Sequence, residues 1–222
     1  AIDHHMWYTI NGGDGFYTQQ DPEDPDIVYA ESQGGAMARI DMATGDRSGL
    51  GRPDWTDHVA ELRDSIAIYE GVDSAREMSE AETEKVTGWK EKVAADSAKY
   101  DLRYNWSTPI IMSPHAPSTI YAAGNRVMVS TDRGESFEVI SPDLTTQDTM
   151  KIRVSTETTG GITPDVTGAE THSTIVALDE SPMAQGRLYA GTDDGNVWVR
   201  PGPDAEWRRI PHDRFRGVPE NT

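Results

Sequence analysis

The stretch Ser113-Pro114-His115-Ala116-Pro117-Ser118-Thr119-Ile120-Tyr121-Ala122 decides the fold, because the chain repeats it twice more. Asp21-Pro22-Glu23-Asp24-Pro25-Asp26-Ile27-Val28-Tyr29-Ala30 is one counterpart, and the looser Ser181-Pro182-Met183-Ala184-Gln185-Gly186-Arg187-Leu188-Tyr189-Ala190 is the other. Each phrase is a proline-bearing turn followed by a short apolar run that ends in Tyr-Ala. Proline fixes φ and lacks an N–H, so it ends a preceding strand. The run after it, such as Thr119-Ile120-Tyr121, is β-branched and aromatic, as a half-buried pleated surface favours.

Working outward, an apolar segment precedes each phrase: Phe16-Tyr17-Thr18, residues 109–112 and residues 174–178. A tight turn follows it. Asp194-Gly195 is the clearest, with glycine supplying the positive φ of a hairpin, and Gly124-Asn125 is read the same way. A fourth strand is expected at 137–140 and 207–210, each opened by an aromatic residue. Four-stranded units in series are the blades of a β-propeller. The expected fold is therefore all-β: a partial propeller of about three blades.

The spacing between phrases exceeds the roughly 40–50 residues of a blade, so both gaps hold insertions. Residues 56–100 lose proline and gain Glu, Lys and Ala. Val59, Leu62, Ile66 and Tyr69 fall at helical spacing, as do Val86, Trp89 and Val93 behind the capping box Ser79-Glu80-Ala81-Glu82. This predicts a helical hairpin. It packs its own apolar stripe or forms an arm over the channel. The expected organisation is blade one over 1–55, helical hairpin over 56–103, blade two over 104–144, a long Thr- and Gly-rich loop over 145–170, and blade three over 171–222.

Composition narrows the function. Asp+Glu 38 against Lys+Arg 20 gives a net charge of −18, which repels phosphate backbones and argues against nucleic acid as a partner. With no cysteine there is no disulfide, thiolate metal site or Cys nucleophile. No run approaches the apolar length of a membrane span. There is no signal peptide, the chain opens on Ala1, and the repeats run into both ends, so an internal slice of a longer protein is expected.

Ser130-Thr131-Asp132-Arg133-Gly134-Glu135-Ser136-Phe137 matches Ser-x-Asp-x-Gly-x-x-aromatic, the Asp-box pattern. The Asp caps backbone N–H groups, the Gly takes a positive φ, and the aromatic plugs between strands. Together with Asn105–Ile110, Ser113-Pro114-His115, Gly124–Val127, Ser141–Thr145, Gly13–Tyr17 and Gly191–Val197, it resembles the bacterial sortilin-like, BNR-repeat proteins often labelled "glycosyl hydrolase". The third repeat keeps Trp207 but loses the Ser and Asp, and the first has Asp41–Asp46 as a turn without the motif. The resemblance implies an exported protein, extracellular or periplasmic. It also implies further propeller blades and a carbohydrate or protein ligand. Within the motif, Ser130, Asp132, Gly134 and Phe137 read as structural.

Binding is expected where loops enter the inner strands, on a rigid scaffold. Those entrances read Asn11-Gly12-Gly13-Asp14-Gly15, Tyr104-Asn105-Trp106-Ser107 and Glu170-Thr171-His172-Ser173. On one rim, Trp106 would stack a sugar ring and Asn105 and His172 would bond hydroxyls. A Trp in such a place is more often a core plug than a sugar platform. Asp14 and Glu170 form the candidate catalytic carboxylate pair, with the wider separation of an inverting glycosidase. The alternative is a glycine-rich turn at Asp14 and a solvated loop residue at Glu170. Asp3-His4-His5 does not read as a metal site, since adjacent strand histidines point apart. Asp193-Asp194-Gly195-Asn196 reads as a hairpin turn rather than a Ca²⁺ loop. No metal or cofactor is expected. A sialidase needs an arginine clamp, and only Arg103 lies near an inner strand. The leading expectation is a binding or scaffold module that recognises a protein or polysaccharide; the alternative is a glycoside hydrolase using rim carboxylates.

Overall fold

The computed structural model describes residues 7, 9–50, 55–71, 78–99, 102–153 and 171–214. The chain forms two compact units: Ala1–Gly51 with Arg103–Thr222, and Arg52–Leu102.

The first unit is built from three four-stranded antiparallel sheets. The first holds β1 (Thr18–Gln20), β2 (Ile27–Ser32), β3 (Ala36–Asp41) and β4 (Arg47–Gly49). The second holds β5 (Ile110–Met112), β6 (Ile120–Ala123), β7 (Val127–Ser130) and β8 (Glu138–Val139). The third holds β9 (Ile175–Glu180), β10 (Leu188–Thr192), β11 (Val197–Arg200) and β12 (Arg208–Arg209). In every sheet the spatial order of strands is the chain order, so each is a meander of hairpins. β5 touches both β1 and β9, and β6 touches β9.

The repeated phrase forms the same turn each time. Asp21 N–H donates to Ile27 O at 2.9 Å, Ser113 N–H to Thr119 O at 2.9 Å, and Ser181 N–H to Arg187 O at 2.8 Å. A side-chain oxygen on the first residue of each turn then takes the N–H two positions on: Glu23 to Asp21 Oδ1, His115 to Ser113 Oγ, and Met183 to Ser181 Oγ. These short oxygen-bearing residues satisfy backbone donors that proline-rich turns leave open. The three tyrosines hold matching register, opposite Gln19, Ile111 and Asp179 of the preceding strands.

Strand alternation sends one face of each sheet into the core. Tyr121, Ala123 and Val127 of the second sheet pack with Leu178, Leu188 and Ala190 of the third, joined by Leu144 and Trp207. A smaller cluster of Ala30, Ala38 and Ile40 lies on the first sheet, covered by Ile10 and Met42. Tyr29 is fully buried and Tyr121 nearly so, whereas Tyr189 is 42% exposed.

Some local expectations change. The strand expected at 16–18 runs Thr18–Gln20. The 145–170 stretch is not wholly loop, since Thr149–Arg153 forms a short helix, α3. Gly195 has φ +88, the left-handed value a tight hairpin needs, but Gly124 does not lie in that region. Its small size is needed for close approach: a Cβ there would lie 2.3 Å from Arg103 O.

The second unit contains α1 (Trp55–Gly71) and α2 (Glu80–Lys99). Val59, Leu62, Ile66 and Val86 are buried. Tyr69 meets Trp89 edge-on at 5.4 Å, and Lys85 Nζ lies 4.7 Å from the Trp89 ring centroid. At the start of α2, Ser79 N–H donates to Glu82 Oε2 at 2.9 Å and Glu82 N–H returns to Ser79 Oγ at 3.3 Å, a reciprocal capping box. Among the described residues no helix is long and apolar enough to cross a membrane.

Candidate functional site at the strand entrances

The segments that lead into β5 and β9 are tied by side chains. Asn105 Nδ2 donates to Thr174 Oγ1 at 3.0 Å, while Asn105 Oδ1 accepts Ser107 N–H at 3.2 Å. Thr108 Oγ1 donates to Asn105 O at 2.9 Å. Thr174 N–H donates to Asp193 Oδ1 at 2.9 Å, and Asp193 Oδ2 lies 3.9 Å from His172 Nδ1. Burial raises the Asp193 carboxyl above its ordinary value, against the Thr174 N–H and the charge of His172.

Asn105, Trp106 and His172 therefore belong to one connected edge. All three are partly buried. The backbone of Trp106 also reaches the first sheet, where its carbonyl accepts Gly34 N–H at 3.1 Å from the 3-10 turn Gln33–Gly35. The structure does not draw Asp14 into this edge by any described hydrogen bond or ion pair; it is exposed on the bend that precedes β1. Glu170 lies outside the described residues, as do Asp3, His4 and His5. Among the described residues no cluster of three or more His, Cys, Asp or Glu side chains could hold a metal ion.

Arg103 is committed elsewhere. Its Nη2 donates to Asp143 Oδ2 at 2.8 Å, with both side chains about nine-tenths buried. Asp143 also takes Asn125 Nδ2 at 2.8 Å and Thr145 Oγ1 at 2.6 Å. Burial opposes its charge, but these donors outweigh burial and hold the carboxyl below its ordinary value. The guanidinium thus serves as an internal strut beneath the entrances, satisfying a desolvated carboxylate.

Glu31, at the end of β2, was not visible as a site residue in the sequence. Its side chain is 1% exposed. Oε1 accepts Thr108 N–H at 3.1 Å and Gly35 N–H at 3.4 Å, and Oε2 has no hydrogen-bond partner. Burial pushes its carboxyl up to about 7, against the pull of three backbone amides. Strand alternation from Tyr29 is the one signal that could have placed Glu31 on the inner face.

The Ser130–Phe137 turn is a self-contained cap. Ser130 Oγ accepts Gly134 N–H at 2.7 Å and donates to Asp132 Oδ1 at 2.7 Å; Asp132 Oδ1 also takes Ser136 N–H at 3.0 Å. These donors, with Ser136 Oγ, lower the Asp132 carboxyl to about 2. Phe137 is buried. Arg133, from this turn, reaches the first sheet and donates to Asp21 Oδ2 at 3.0 Å and Glu23 Oε2 at 2.7 Å. Ser130, Asp132, Gly134 and Ser136 are occupied in shaping the turn, and Arg133 and Glu135 in joining sheets.

Chemically, the entrance edge offers an amide, an imidazole, a carboxylate and an indole ring, a set suited to hydroxyl- or peptide-bearing ligands. No family model and no curated protein matches this chain.

Proposed function

We propose that the three sheets are consecutive blades of an Asp-box-type β-propeller of the sortilin-like, BNR-repeat kind. In this reading the chain is an exported binding or scaffold module, and its strand-entrance rim recognises a polysaccharide or a protein. The observation that carries the reading is the Asn105–Thr174 hydrogen bond at 3.0 Å, because it joins two entrances and so puts Trp106 and His172 on one edge. The repeated turns and the contacts of β5 with β1 and β9 support the radial arrangement. The −18 charge favours neutral or basic ligands.

Titration of the protein against neutral polysaccharides and basic peptides tests it. Trp106→Ala and His172→Ala should each weaken binding by about tenfold or more, as loss of a stacking or hydrogen-bonding group does, with melting curves run alongside to exclude unfolding. Unchanged affinity in both folded variants would eliminate the rim as the site. The glycoside-hydrolase alternative needs a facing carboxylate pair, and no observation favours it: Asp14 is exposed and Glu170 lies outside the described residues.

A further inference from the structure

Asn11 and Gly12 lie on the bend that leads into the first sheet. Three contacts hold the Asn11 side chain. Arg47 Nη2, from β4, donates to Asn11 Oδ1 at 2.5 Å. Gly12 N–H donates to the same oxygen at 3.1 Å. Asn11 Nδ2 reaches Ala30 O at 3.5 Å, the outer limit of a hydrogen bond. Gly12 is exposed, and a Cβ built on it would meet nothing within 4 Å.

This arrangement has the parts of an acyl-transfer centre. The Gly12 backbone nitrogen would be the nucleophile: its N–H donates to Asn11 Oδ1, which keeps it beside the side-chain amide, and its own residue has no Cβ to block approach. Asn11 Cγ is the electrophile. Arg47 sits on the oxygen where negative charge develops, the place where a preformed donor lowers a barrier most. Among the described residues, the Nδ2 leaving group is restrained by the long contact to Ala30 O alone.

We propose that Asn11 is a self-modification site, converted to a mixture of aspartate and isoaspartate through attack by Gly12 N with Arg47 stabilising the oxyanion. Solvent hydroxide removes the Gly12 amide proton once it leaves Asn11 Oδ1, giving water, and the nitrogen forms a bond to Cγ. The tetrahedral oxyanion on Oδ1 collapses, the Cγ–Nδ2 bond breaks, and Nδ2 leaves as ammonia after taking up a proton. The resulting succinimide is opened by a second water at either carbonyl. No oxidant or reductant takes part. The product carboxylate keeps an ion pair with Arg47 but loses the donor to Ala30 O. The isoaspartate form also adds a backbone carbon at the entrance to β1. The conversion thus alters one of the three entrances without any enzyme.

The test is incubation of the intact chain at mildly alkaline pH, followed by peptide mass analysis and isoaspartyl methyltransferase labelling at position 11. The folded protein should gain the mass of an amide-to-acid conversion at Asn11 faster than the same chain in denaturant. Arg47→Gln should slow the folded-state rate by about tenfold, the kinetic counterpart of one charge-assisted hydrogen bond. Gly12→Ala, which fits the open space, should slow it as well. A folded-state rate equal to or below the denatured rate overturns the proposal. So does an Arg47→Gln variant that folds, as judged by its melt, and deamidates at the wild-type rate.

Discussion

Thr108 N–H donates to Glu31 Oε1 at 3.1 Å, a bond between residues 77 positions apart that ties the end of β2 to the segment entering β5. Among the described residues no cation pairs with the carboxyl that accepts it, so burial gives the group a preference for its neutral form.

A pH dependence follows. The folded pKa of Glu31 is raised to about 7 from 4.5. Below the unfolded value both states hold the proton and stability is complete. Between the two values the unfolded chain has released the proton and the folded one has not, so stability falls as pH climbs, by at most about 3 kcal/mol, and levels off above the folded value. Urea melts of wild type and Glu31→Gln across that window should coincide at the acid end and diverge towards pH 8, with the variant the more stable. Parallel curves would remove Glu31 as the cause.

The acid side behaves oppositely. Asp143 and Asp21 are held below the ordinary carboxylate value and Asp132 at about 2, each by hydrogen-bond donors that outweigh burial or act nearly alone. Their contributions are present above the unfolded value and are lost as pH falls through the folded ones. Stability should therefore peak in a mildly acidic range. Arg103→Met should cost about 3–5 kcal/mol near neutrality by leaving Asp143 buried without its cation. In that variant acidification should restore part of the loss. A chemical melt that shows no recovery at low pH would count against the pairing as the source of the cost.

The local and the distant parts of this architecture were not equally readable. Proline placement and the short β-branched and aromatic run that ends in Tyr-Ala are local, and they marked the three proline-bearing turns and the three tyrosines. Helical spacing marked Val59, Leu62, Ile66 and Val86, and Ser79 with Glu82 named the helix start. The Thr149–Arg153 helix escaped because it lies inside a Thr- and Gly-rich stretch and has no apolar periodicity. Asn105, Trp106 and His172 could be placed on strand entrances, but their bonding partners could not. Glu31 meets Thr108 only when the first and second sheets come together, and Arg103 meets Asp143 only when the segments flanking the second sheet are brought together. Nothing in the sequence near either carboxylate announces its partner.

The Asp-box turn separates backbone from capping effects. Gly134 has φ +90, and a Cβ there would lie 2.3 Å from Leu50 Cδ2. Gly134→Ala should cost about 2–4 kcal/mol, combining left-handed strain with overpacking. Asp132→Ala removes an exposed cap and should cost about 1 kcal/mol. Thermal melts giving the reverse order would show that the cap, not the glycine, governs the turn.

Equivalent tyrosines should respond unequally. Tyr121 OH donates to Glu180 Oε1 at 3.3 Å, and the side chain sits in the core between two sheets. Tyr189 keeps the same register and remains 42% exposed. Tyr121→Ala should cost about 3–5 kcal/mol, and Tyr189→Ala less than about 1 kcal/mol. Equal losses in denaturant titrations would mean that Tyr189 is covered in solution.

Because chain order and spatial order coincide in all three meanders, each one can be copied, deleted or spliced beside another without rerouting any connection. Tandem gene duplication would lengthen such an array by whole sheets.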